Sequence, residues 1–83
     1  MIPLGLIMMN RIRVTIAELN IFLHDAMRDT PHFPILDLVA IRPSGTDPSG
    51  WTVDFDHTVP EDDRRTILGA VHHLQRRYIL EMR

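Results

Sequence analysis

The chain contains no cysteine and no lysine, and all nine of its basic side chains are arginine. The missing thiols exclude disulfides and thiolate metal sites, so the fold depends on its core alone. An all-arginine set suits bidentate contacts to anions, yet a codon bias explains it equally well and it assigns nothing by itself. Charge of one sign is also lacking: the formal net charge is -2, which gives no global field toward a polyanion and leaves only local patches to consider. Long apolar runs are missing too. Residues 1–9 are apolar, but the stretch has no basic residue ahead of it and no small-residue cleavage site, so neither a signal peptide nor a membrane span is expected. Residues 1–10 are read as a flexible lead, residues 11–83 as a single domain, and the chain as cytoplasmic.

Eighty-three residues lie near the size at which a core buries only about 60% of the surface of the unfolded chain, so association with a second copy would help. Hydrophobic residues make up 45% and charged residues 24%, an ordinary globular balance.

Arg11 to Ile16 alternates polar and apolar residues, which predicts a short strand. Thr15-Ile16-Ala17-Glu18 has the spacing of a capping box, so the strand ends at Val14 and a helix follows, running to about Arg28. Its apolar face is Ile16, Leu19, Phe22, Leu23, Ala26 and Met27. Pro31 and Pro34 make Asp29 to Pro34 an extended connection. Two strand-like runs, Ile35–Arg42 and Trp51–Asp56, flank the doubled turn signal Pro-Ser-Gly-Thr-Asp-Pro-Ser-Gly and predict a central β-hairpin. Thr58-Val59-Pro60-Glu61 repeats the capping-box spacing and opens a second helix, with acidic residues at its start, Arg76, Arg77 and Arg83 toward its end, and a stripe of Ile67, Ala70, Val71, Leu74 and Tyr78. Gly69 in that helix is read as a site of close packing on the sheet. The expected fold is a small two-layer α+β domain, helix-strand-strand-helix with an N-terminal strand, both helices on one face of the sheet.

A symmetric hairpin loop sets Arg42 opposite Trp51, Ala40 opposite Val53 and Leu38 opposite Phe55, giving one apolar face. The other face then pairs Ile41 with Thr52, Val39 with Asp54 and Asp37 with Asp56. Facing aspartates repel, so three accounts compete: a slipped register, arginine pairing from Arg11 or Arg13, or a cation held by Asp37, Asp54 and Asp56. The exposed aliphatics on this face would be sticky, and either the Arg11 to Val14 strand or a second copy is expected to cover them.

No motif sets a function. The five histidines show no metal-ligand spacing, since His72 and His73 are adjacent on a helix and point about 100 degrees apart. Ser44 and Ser49 sit in the turn without a nucleophile elbow. Asp54-x-Asp56-His57 is divided between two strand faces. Neither catalytic residues, nor a metal site, nor a cofactor is expected. The leading expectation is a non-enzymatic protein that forms a homodimer or binds another protein through Ile35, Asp37, Val39, Ile41, Trp51, Asp54 and Asp56. The alternative is a nucleic-acid-binding accessory protein that uses Arg76 and Arg77, supported by Arg11, Arg13, Arg64 and Arg65.

Overall fold

The computed structural model describes residues 11–81, so the flexible lead expected over residues 1–10 and the basic end at Arg83 lie outside the described residues. Seven elements follow one another: β1 (Ile12–Val14), α1 (Ile16–Met27), a 3-10 segment (Phe33–Leu38), β2 (Val39–Pro43), β3 (Trp51–Phe55), α2 (Glu61–Arg77) and β4 (Tyr78–Leu80). This is an α+β domain with a helix-hairpin-helix centre, as the sequence pattern predicts.

The first capping box forms. Thr15 Oγ1 accepts from the Glu18 amide at 3.2 Å, and the Thr15 amide donates to Glu18 Oε1 at 2.9 Å. Two backbone donors that the first helical turn leaves open are thereby satisfied. Thr15→Ala removes one of these bonds and is expected to cost about 1 kcal/mol, which for a domain of this size lowers the thermal midpoint by roughly 4–8 °C. Thermal melting followed by far-UV circular dichroism measures it.

The second capping box does not form. Thr58 turns back instead, its amide and hydroxyl both donating to Asp56 Oδ1 at 2.9 and 2.8 Å. Helix α2 therefore starts later, at Glu61, behind Pro60, whose missing N–H costs nothing at that position. Glu61, Asp62 and Asp63 in its first turn meet the positive end of the helix dipole. His32 Nδ1 lies 2.5 Å from Asp63 Oδ1, tying the α1–β2 connection to that turn.

The hairpin differs from the symmetric arrangement by one residue. The observed pairs are Val39 with Phe55, Ala40 with Asp54, Ile41 with Val53, Arg42 with Thr52 and Pro43 with Trp51. The loop is closed by Ser44 N–H to Gly50 O and Gly50 N–H to Asp47 O, both 2.9 Å, with Gly50 at φ 81°, a conformation that glycine adopts without strain. Pro43 is drawn into β2 as a result. It is tolerated there because the alternation set by Ser44 to Gly50 and Asp56 to Leu38 turns the backbone groups of Val39, Ile41 and Pro43 away from β3, so the ladder loses no donor. A one-residue slip exchanges the faces of one strand relative to the other. Ile41 thus joins Val53 and Trp51 in the core, while Leu38, Ala40, Arg42, Thr52, Asp54 and Asp56 share the outer face. Asp37 does not oppose Asp56, because it belongs to the 3-10 segment, and the chain expected to be strand from Ile35 becomes strand only at Val39. Pro34 presets the helical φ at the start of that segment, and Leu36 anchors it in the core.

Both helices pack on the inner hairpin face. Leu19, Leu23 and Met27 of α1 and Ile67, Val71 and Leu74 of α2 close on Ile41, Trp51 and Val53. Ile16 and Phe22 are half-buried at the margin of this core, and Ala26, expected inside, is exposed. Gly69 does not make the close approach to the sheet read from the sequence, since a methyl group there would meet nothing within 4 Å.

The last element has no counterpart in the sequence reading. Helix α2 ends at Arg77, and Tyr78–Leu80 forms a strand parallel to β1 in the register Ile12–Tyr78, Arg13–Ile79, Val14–Leu80. The N-terminal strand therefore joins β4 rather than extending the hairpin. Tyr78 leaves the helical stripe, and its ring stacks on Phe22 with centroids 4.6 Å apart. β4 in turn lies along the segment leading into β3: Leu80 N–H donates to Ser49 O at 2.8 Å, and the Trp51 indole N–H donates to Tyr78 O at 3.2 Å. These bonds place β1, β4 and the end of α2 beside the closed end of the hairpin.

Candidate functional site: an arginine cluster

The residues proposed from the sequence fall into two groups. Ile41, 8% exposed, and Trp51, 0% exposed, are core, and Ile35 and Val39 pack half-buried against it. The register turns Val39 and Ile41 inward, and the 3-10 segment carries Ile35 against the same core. Asp37, Asp54 and Asp56 remain exposed. Asp54 is paired with Arg42, 2.5 Å from Nε to Oδ2. Asp56 is held by Thr58, and the two Thr58 hydrogen bonds, backbone first, keep its carboxyl below the ordinary range. Among the described residues no group of three or more His, Asp or Glu is placed to hold a metal ion.

The histidines are dispersed. His24 Nδ1 lies 2.7 Å from Asn20 O within α1, His32 meets Asp63, and His57 is almost fully exposed beside Asp56. Ser44 Oγ lies 3.2 Å from Thr46 Oγ1 and accepts from the Thr46 amide at 3.3 Å, and Ser49 is buried beneath the turn. Burial at 1% exposure closes the Ser49 hydroxyl to any substrate, and its hydrogen bonds hold the turn.

The arginines behave differently. Arg64 lies over the Phe55 ring, with 5.6 Å from Cζ to the centroid, and Arg65 reaches Glu61 at 3.7 Å, so these two are engaged within the hairpin–α2 packing and along the helix. Two others, Arg11 and Arg76, meet in one cleft, with Arg13 two residues from the first and Arg77 next to the second in the chain. The β1–β4 register, continued by one residue, sets Arg11 beside Arg77, and Arg13 pairs with Ile79. Arg77 also lies 6.0 Å over the Tyr78 ring. Arg11 and Arg76 line a cleft of about 310 Å³ together with Asp47, Pro48, His72 and Gln75.

The floor of this cleft is well fixed. Asp47 Oδ1 accepts from the Ser49 amide at 2.9 Å and from the Ser49 hydroxyl at 2.5 Å, and Ser49 is 1% exposed. The Ser49 hydroxyl also lies 3.2 Å from Trp51 O, to which Gln75 Nε2 donates at 2.8 Å. The turn, β3 and α2 are thus bonded into one wall. The Ser49 side-chain bond, then its backbone bond, hold the Asp47 carboxyl below the ordinary range, with the nearby charges of Arg11 and His72 adding to the effect and burial opposing it. Asp47 is therefore a fixed negative charge in a setting of arginines. Chemically the cleft offers guanidinium groups to an oxyanion, and one carboxylate that limits how many such groups it can neutralise.

Sequence reasoning named Arg76 and Arg77 and the supporting Arg11 and Arg13, but not Asp47, His72 or Gln75. The signal for their assembly was present. Tyr78-Ile79-Leu80 is a β-prone triplet directly after two arginines, and Arg11-Ile12-Arg13 is an equally short strand with arginines at alternate positions. No family of known proteins, no curated protein and no solved structure matches the chain. The functional reading therefore rests on the geometry of the molecule itself.

Proposed function

We propose that this protein is a non-enzymatic nucleic-acid-binding protein that contacts phosphates through Arg11, Arg13, Arg76 and Arg77. The observation that carries the reading is the convergence of arginines from the two ends of the described chain, with Arg11 and Arg76 lining one cleft although the chain as a whole has a net charge of -2. A local cationic patch on an acidic protein steers a polyanion to one face. Arg64 and Arg65, at the other end of α2, are excluded from the site by their contacts with Phe55 and Glu61. Asp47 within the cleft keeps the footprint small, on the order of two to four phosphates, so binding should be weak at physiological salt and strong only when salt is low.

Fluorescence anisotropy with labelled single-stranded and duplex oligonucleotides tests this. Affinity is expected to fall linearly in a log–log plot against salt, and Arg11→Gln or Arg76→Gln each to lower the magnitude of the slope by about one. Arg65→Gln should leave both affinity and slope unchanged. No binding at low salt, or binding indifferent to Arg76, refutes the reading.

A further inference from the structure

Charge is separated along the hairpin. At its closed end lies the arginine cluster, beside Ser49 and the start of β3. At its open end the outer face carries Asp37, Asp54 and Asp56 around a shallow groove of about 330 Å³, with Leu38 39% exposed and Ala40 exposed. Arg42 offsets only Asp54. At about 3.4 Å per residue the six steps from Gly50 to Asp56 separate the two ends by roughly 20 Å. Leu38 lies in the acidic groove, whereas strand alternation puts Ile12, 57% exposed, on the face of β1 opposite Arg11 and Arg13.

We propose that copies of this chain associate head to tail, the acidic open end of one hairpin docking on the arginine-bearing β1 of the next. The other two ways of joining copies through the hairpin are opposed by charge and by the β2 edge. Stacking outer face on outer face would bring three aspartates and one arginine against the same set, a net charge of -2 against -2, from the residues lining the groove. Adding β2 edge to edge offers little hydrogen bonding, because Pro43 has no N–H and the Val39 N–H already donates to Leu36 O. Head-to-tail pairing instead sets opposite charges together. Such an interface is heterologous, so it either closes into a ring or grows as an open chain. The arginine cluster is common to this interface and to the proposed nucleic-acid site, but neither depends on the other being correct.

Sedimentation velocity on the full chain tests the proposal. The wild-type protein should associate at low ionic strength and dissociate in about 0.5 M salt, where exposed charges are screened within a few ångströms. Asp37→Arg with Asp54→Arg, and separately Arg13→Asp with Arg76→Asp, should each weaken self-association at least tenfold, with circular dichroism showing that the fold is kept. Should either reversal unfold the chain, the neutral pairs Asp37→Asn with Asp54→Asn and Arg13→Gln with Arg76→Gln read the same loss. An equimolar mixture of the two reversed proteins should recover a complex, since the intact acidic end of one meets the intact arginine cluster of the other. A wild-type protein that stays monomeric at low salt, or association that survives both reversals, overturns the proposal. No oligonucleotide binding at low salt by a wild-type protein that self-associates would count against the nucleic-acid reading alone.

Discussion

Trp51→Ala is expected to leave the domain largely unfolded at physiological temperature. The side chain is fully buried and lies where the hairpin, both helices and β4 meet. Truncating a buried aromatic costs about 3–5 kcal/mol, because the lost burial is compounded by a cavity that the surroundings only partly fill. At 83 residues the total stability is on the order of 4–12 kcal/mol, so the loss takes up a large share of it. The indole N–H is also the donor to Tyr78 O, and its removal detaches one of the two bonds holding β4 against the start of β3. Trp51→Phe separates these contributions. It keeps most of the packing and loses the donor, so it should cost roughly 1–2 kcal/mol. Urea titration followed by far-UV circular dichroism measures both variants, since the only tryptophan is lost as a fluorescence probe. An alanine variant as stable as the wild type would mean that Trp51 does not hold the two strand pairs together.

The parts of this fold that were legible in the sequence are those set by local chemistry. Thr15 and Glu18 are three residues apart, and nothing beyond that turn is needed to make them cap one another. The apolar spacing of Leu19, Leu23 and Met27, and of Ile67, Val71 and Leu74, likewise specifies a helix and its inner face without reference to the rest of the chain. Thr58 and Glu61 carry the same spacing, yet Asp56 competes for Thr58 as a nearer acceptor and wins. The hairpin was legible but its register was not. That register depends on whether Pro43 counts as turn or strand, and the answer lies in which edge of β2 has no partner, a tertiary fact. The candidate site was half legible for the same reason. Arg76-Arg77 and Arg11-Ile12-Arg13 stand out as pairs, but only the parallel pairing of Ile12 with Tyr78, about sixty-six residues apart, brings them together. Three-residue strands acquire their meaning from a partner, and their patterns are too short to predict one.

Placing asparagine at Ile41 and at Ala40 in turn is the most direct test of the register, and the two variants should differ by several kcal/mol. Ile41 is opposite Val53 on the inner face and packs in the core formed with Leu19, Leu23 and Ile67. Ile41→Asn removes that aliphatic volume and places an amide where the surrounding side chains are apolar, a combined cost of about 3–5 kcal/mol. Ala40 is exposed on the outer face opposite Asp54, where an added amide meets solvent and can donate to the carboxylate. Ala40→Asn should therefore fall within about 0.5 kcal/mol of the wild type. The symmetric loop requires the reverse, because it turns Ala40 inward beside Val53 and Ile41 outward beside Thr52. Thermal melts of the two proteins decide between them, and a ranking with Ala40→Asn as the damaging change would return the hairpin to the symmetric register. It would also turn Ile41 outward and remove Leu38 from the outer face.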